Sequence, residues 1–66
     1  MIKEISEYHS KDGTSKAEVV YNVLEGFFSV YFYEGGKLAG FEDYFGKDIS
    51  YVEDAAENWV LGIKKL

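Results

Sequence analysis

A glycine pair, Gly35-Gly36, sits between two runs in which aromatic and β-branched residues alternate with polar ones. Consecutive glycines accept the positive φ angles that a two-residue hairpin turn demands, and flanking runs of this kind read as its strands. The centre of the chain is thereby committed to antiparallel sheet. Glu25-Gly26 is a second hairpin signal of the same kind, Lys11-Asp12-Gly13-Thr14 reads as a loop, and Gly46-Lys47-Asp48 as the last one. The segments between them predict strands at about 2–9, 16–24, 27–34 and 37–45.

After the last loop the period changes from two to that of a helix. Val52, Ala55, Ala56, Trp59, Val60 and Ile63 recur at helical spacing and form one apolar stripe. Ser50 and Glu53 are spaced as a capping box. Asp54 and Glu57 complement the positive end of the helix dipole, and Lys64-Lys65 the negative end. The expectation is an α+β fold: a single domain over residues 1–66, a four-stranded antiparallel β-meander with one C-terminal α-helix packed on one face.

Two-residue turns at both glycine signals fix a register. Leu24 then faces Phe27 and Val20 faces Tyr31; across the second turn Tyr33 faces Leu38 and Val30 faces Phe41. Side chains alternate between faces. One face gathers Ala17, Val19, Tyr21, Val23, Phe28, Val30, Phe32, Ala39, Phe41 and Phe45, and is expected to receive the helix with Trp59 near its centre. The other gathers Val20, Leu24, Phe27, Tyr31, Tyr33, Leu38 and Tyr44, mixed with Glu18, Asn22, Ser29 and Glu42. In strand one, Ile2 and Ile5 fall on opposite faces, which predicts a bulge or an edge position. Because one helix shields one face, the second face is left with seven apolar or aromatic groups, more than a monomer ordinarily exposes. These seven residues are the expected interface, and a homodimer through them the expected assembly.

Composition narrows the chemistry. There is no cysteine, so disulfides, thiolate zinc sites and Fe–S clusters are excluded, and the single histidine, His9, cannot build a multi-histidine metal site within one chain. A chain of 66 residues buries a limited fraction of its surface, which leaves good packing or self-association as its supports. Twelve acids oppose seven lysines without one arginine, for a net charge of −5. Nucleic-acid binding needs cations to displace counterions, so this balance disfavours it. No apolar run approaches the roughly 18 residues of a membrane span, and the alternating charge of Met1-Ile2-Lys3-Glu4-Ile5 does not read as a signal peptide. A cytoplasmic protein without membrane contact is the simplest expectation.

No catalytic, cofactor or metal motif stands out. His9 lies beside a polar loop with Ser10, Asp12, Thr14 and Ser15, but no nucleophile elbow accompanies them, and a solvated loop histidine is the plainer reading. Glu42, Asp43, Asp48, Glu53, Asp54 and Glu57 cluster late in the chain without the alternating oxygen ligands of a calcium loop; capping and a solvated acidic surface account for them. The helix stripe with Trp59 could suggest a membrane surface, yet its charges are mainly acidic where interfacial helices are basic. Neither an enzyme nor a cofactor is expected. The function expected is that of a small acidic interaction module, non-enzymatic and self-associating. The alternative is a nucleic-acid-related role, either single-strand binding by stacking on Phe27, Tyr31 and Tyr33 or acidic mimicry. A four-stranded sheet followed by a helix is similar in topology to the repeat unit of purine-rich-element-binding proteins, a likeness that implies such stacking.

The run Tyr51-Val52-Glu53-Asp54-Ala55-Ala56-Glu57-Asn58-Trp59-Val60-Leu61-Gly62-Ile63 resembles the C-terminal helix of short uncharacterised proteins of tailed phages infecting cyanobacteria. That resemblance implies a small accessory phage protein in a host cytoplasm, with a host or phage protein as a further partner, and assigns no residue a role.

Overall fold

The computed structural model describes residues 1–63. Its elements are β1 (Ile2–His9), β2 (Ser15–Asn22), β3 (Phe27–Glu34), β4 (Lys37–Tyr44) and α1 (Ile49–Val60). The strands form one sheet in the order β1-β2-β3-β4, every neighbouring pair antiparallel. This is the ββββα meander expected of the sequence.

The Gly35-Gly36 turn forms as the glycines require. Glu34 pairs with Lys37, and the two glycines between them have φ angles of 57° and 80°, the signs a type I′ turn needs. The β2–β3 connection is different. Asn22 pairs with Phe27, so four residues span the turn instead of two. Asn22 is the cause: its Oδ1 accepts from the Glu25 amide at 3.0 Å, and its carbonyl accepts from the Gly26 amide at 2.7 Å. Asparagine side chains nucleate turns by such local bonds. Leu24 therefore rides the turn, 84% exposed, and pairs with nothing across the hairpin. Val20 faces Ser29, not Tyr31. A shift of two residues preserves which face each side chain points to, so β2 and β3 keep their expected faces.

A shift of one does not. Tyr33 pairs with Leu38 as expected, but Phe32 pairs with Gly40, which leaves Ala39 as an extra residue. Beyond this bulge β4 is turned over. Tyr44, expected on the open face, is buried in the helix-side core. Phe41 faces Tyr31 and, like Phe45, is expelled from the expected core to the exterior. A second bulge lies in β1, where Glu4 pairs with Val20 and Ser6 with Val19 while Ile5 is passed over. Both bulges fall on the edge strands, where they hinder further strand addition.

The N-cap lies two residues before the expected one. Asp48 is the N-cap, its carboxylate accepting from the Tyr51 amide at 2.9 Å. Ser50 is already inside the helix, and no acid other than the cap serves the first turn, so the Ser50–Glu53 box is not formed. At the other end Ile63 donates to the Asn58 carbonyl at 2.9 Å and Gly62 to that of Trp59 at 3.0 Å. With Gly62 at φ 82° this is a Schellman motif. It ends the helix before Ile63, which lies exposed instead of completing the stripe. Lys64 and Lys65 lie outside the described residues.

The core sits between α1 and the inner face of the sheet. Ala17, Val19, Val30, Phe32, Val52 and Ala56 are fully shielded, and the Trp59 ring lies 4.8 Å from that of Phe32. The helix crosses β1, β2 and β3. The β4 side joins at its end, where the Tyr44 ring is 6.0 Å from that of Tyr51. Among the described residues no helix is long and apolar enough to cross a membrane.

Candidate functional site: the open face of the sheet

Among the described residues, nothing covers the face of the sheet opposite the helix. Cross-strand pairing arranges it in rows, because antiparallel partners share a face. Following the pairs from β1 to β4, one row is Glu4, Val20, Ser29, Asp43; the next is Glu7, Glu18, Tyr31, Phe41; the last is His9, Lys16, Tyr33, Leu38. At the opposite end Ile2 pairs with Asn22 and Asn22 with Phe27, whose ring lies 4.5 Å from Phe45.

These rows divide the face lengthwise into two halves. The β1–β2 half is charged. Glu7 Oε1 meets His9 Nε2 at 2.6 Å, and Lys16 Nζ lies 3.3 Å from Glu18. The hydrogen bond from His9 holds the Glu7 carboxyl below its ordinary pKa, and Glu18 raises that of the Lys16 ammonium. Glu4, Glu7 and Glu18 bring three carboxylates within 4.8 Å of one another. Two of them already have cationic or hydrogen-bonding neighbours on their own strand, and exposed acids gather on surfaces without binding a metal.

The β3–β4 half is aromatic. Tyr31 and Phe41 rings are 5.7 Å apart. Leu38 and Phe41 are each 56% exposed and Phe45 68%. Tyr33 is half-buried beneath the Lys16 ammonium, 4.6 Å from its ring centre; burial first and Glu18 second raise its phenol pKa. The one acid in this half, Asp43, accepts from the Ser29 hydroxyl at 2.6 Å.

Of the seven expected interface residues, the structure gathers Phe27, Tyr31, Tyr33 and Leu38 on this half of the face. Val20 is on the same face but only 6% exposed, so it is a floor for its taller neighbours and not a contact. Leu24 has moved into the turn, and Tyr44 to the opposite side. Phe41 and Phe45 take their place. The signal for them was in the sequence: a glycine inside a strand, here Gly40 after Ala39, marks a bulge, and a bulge reverses every face beyond it.

The loop after β1 is self-contained. Asp12 Oδ1 accepts from the Ser10 hydroxyl at 2.8 Å, the Thr14 amide at 3.0 Å and the Thr14 hydroxyl at 2.8 Å. Those bonds, the Thr14 amide first, hold the Asp12 carboxyl below its ordinary pKa. Ser10 also accepts from the Ser15 amide at 3.0 Å. Asp12 and Ser10 thus stabilise a turn, while His9 is engaged with Glu7 on the sheet. The structure does not bring the three into a nucleophile–base relay. Beside this loop, His9, Gly13, Thr14, Lys16, Tyr33 and Gly36 line a half-open depression of about 270 Å³, below the size of a typical ligand pocket. The late carboxylates are dispersed. Asp48 caps the helix, Glu42 accepts from the Tyr44 hydroxyl at 2.7 Å, and Asp43 holds Ser29.

No family model, no curated protein and no solved structure matches this chain.

Proposed function

We propose that this protein is a non-enzymatic interaction module that self-associates through the β3–β4 half of its open face. The observation that carries the proposal is the group of Phe27, Tyr31, Tyr33, Leu38, Phe41 and Phe45, three of them more than half exposed, gathered on a face with no element across it among the described residues. An aromatic centre with a charged flank has the composition of an interface core and its rim. The bulges at Ile5 and Ala39 favour association by the face over association by the strand edges. A nucleic-acid strand is a poor occupant, because Glu4, Glu7 and Glu18 border the aromatic rows where a backbone would need cations.

The patch also sets the strength. Two strands of eight residues span about 27 by 10 Å, well short of the roughly 800 Å² per partner of a standard interface. The association is therefore transient and visible only at high concentration. Sedimentation velocity from ten micromolar to one millimolar should show a rising sedimentation coefficient. Phe41→Ser, on an already exposed ring, should leave the circular dichroism spectrum unchanged and abolish the rise. A wild-type chain that stays monomeric at one millimolar overturns the reading.

A further inference from the structure

The apolar strip on β3 and β4 has the footprint of something narrower than a second sheet. At about 27 by 10 Å it falls short of a standard interface between two folded domains. It does match one α-helix, which with its side chains is about 10–12 Å across and needs about 18 residues to span 27 Å. The sheet already takes a helix on its inner face, where Val52, Ala56, Trp59 and Val60 of α1 pack with Val19, Val30 and Phe32. Sheets that carry helices on both faces are an ordinary layered architecture.

The charges beside the strip select among helices. Glu4, Glu7 and Glu18 line its β1–β2 side, their carboxylates within 4.8 Å of one another. The cations of this face stand together at one end, because Lys16 and His9 share the last row with Tyr33 and Leu38. From there Lys16 reaches Glu18 at 3.3 Å and His9 reaches Glu7 at 2.6 Å, so both act on the middle row. The row of Glu4, Val20, Ser29 and Asp43 holds two acids and no cation. The face is thus most negative around Glu4 and Asp43 and least negative at the Lys16 end. A helix rich in lysine or arginine complements it. The α1 helix of a second copy does not, since its apolar stripe is buried on its own sheet and it exposes Asp54 and Glu57. Acid set against acid selects against that pairing.

We infer that the open face docks a cationic amphipathic α-helix of a partner protein, with the apolar stripe along β3 and β4 and the basic flank over Glu4 and Glu7. The inference rests on reading the β3–β4 half as the interaction surface, but not on self-association, with which the helix competes for the same rings. Helices recognised in this way present anchors at i, i+3 or i+4, and i+7. Phe27, Tyr31, Leu38 and Phe41 receive them, and aromatic residues commonly dominate such contacts.

The probe is a fluorescein-labelled peptide of about 18 residues, with leucines at that spacing, lysines along one flank and alanines elsewhere. A second peptide has glutamate at every lysine position. Fluorescence anisotropy is read at trace peptide while the protein is titrated to three hundred micromolar. The lysine peptide should bind with a Kd on the order of tens of micromolar, and the glutamate peptide at least about tenfold more weakly. Phe41→Ser should weaken the lysine peptide about tenfold, and so should Glu4→Gln combined with Glu7→Gln. The control is Asp54→Asn combined with Glu57→Gln, which removes the same two charges from α1 and should leave the affinity within about twofold. No binding of the lysine peptide, equal binding of the two peptides, or equal losses from the two charge-matched double variants overturns the inference. So does an affinity that Phe41→Ser leaves unchanged. A chain that binds the lysine peptide at this face yet sediments as a monomer at one millimolar removes self-association and leaves the helix site standing. A chain that self-associates but ignores the peptide does the reverse.

Discussion

The two faces of this sheet are made from alternate residues of the same strands, and they solve different problems. On the inner face Val30 and Phe32 are fully shielded, packed with Val19, Val52 and the Trp59 ring. On the outer face their immediate neighbours Tyr31 and Tyr33 are half-buried and lie among Phe41, Glu18 and Lys16. Inner residues carry no side-chain polar atom over most of the core. Outer ones combine rings with hydroxyls and neighbouring charges, which lets them rest in water and still present apolar area. What separates the faces is the helix alone: it covers one side of β1, β2 and β3 and nothing equivalent among the described residues covers the other. The difference teaches that the outer aromatics are not core residues displaced by poor packing. They lie in register, in rows, beside a core that is already filled.

That contrast is sharpest for one residue type placed on both faces. Phe32→Ala should cost about 3–5 kcal/mol through lost burial and the cavity beside Trp59. A domain of this size holds about 3–10 kcal/mol in all, at the usual stability per residue, so the variant should melt far below the wild type or be unfolded at 25 °C. Phe41→Ala removes the same ring from the outer face and should cost less than about 1 kcal/mol in the monomer. Urea unfolding of both at ten micromolar, followed by the fluorescence of Trp59, measures the difference. Equal losses would show that the outer rings hold the fold together, and would remove the distinction between the faces.

The physical reason for what could be read in advance is visible in the turns. Gly35-Gly36 dictates its own geometry through backbone conformation alone, so β3 and β4 begin in the expected register. Strand alternation then places Val30 and Phe32 inward and Tyr31 and Tyr33 outward without reference to any tertiary contact. The same logic fails at Ala39. One unpaired residue reverses Phe41, Tyr44 and Phe45 together, and whether a bulge forms depends on what the strand gains beyond it. Here the strand beyond the bulge buries Tyr44 beside Tyr51 at the helix end and leaves Phe41 exposed. The β2–β3 turn erred less seriously, since Asn22 lengthened it by two residues and conserved the faces. The candidate site was accordingly legible for its β3 members and partly wrong for β4, the strand farthest from the helix.

The helix start offers a smaller test of how the covered face is held. Asp48 and Ser50 are both suitable caps by residue type, and each implies a different helix start. In the structure Asp48 accepts from the Tyr51 amide while Ser50 is helical. Asp48→Ala should therefore cost about 1 kcal/mol, the ordinary value of an N-cap. Ser50→Ala should change stability by no more than a few tenths, because alanine is the better helix former at an interior position. Thermal melts of the two variants separate the alternatives. A larger loss from Ser50→Ala would move the cap, and with it the phase of the stripe that reaches the core.

The finest distinction between the faces lies in two phenols on them. Burial first, then the hydrogen bond to Glu42 and its charge, push the Tyr44 phenol well above its ordinary pKa, near 10 in an unfolded chain. The neutral phenol is thus the form the fold prefers. Its contribution to stability is fully present below pH about 10 and is lost as pH rises from there toward the folded-state value. Tyr33, on the outer face, is shifted in the same direction but lies nearer to solvent. Tyr44→Phe keeps the ring and removes both the ionisation and the bond to Glu42. At pH 7 it should cost up to about 1 kcal/mol, the net worth of one hydrogen bond. Between pH 10 and 11.5 its stability should fall less steeply than that of the wild type, whereas Tyr33→Phe should flatten the same limb less. The measurement is denaturant midpoint against pH for the three proteins. If Tyr33→Phe flattens the alkaline limb as much as Tyr44→Phe does, the outer face excludes water as well as the inner one, and a phenol there is already as buried as a core residue.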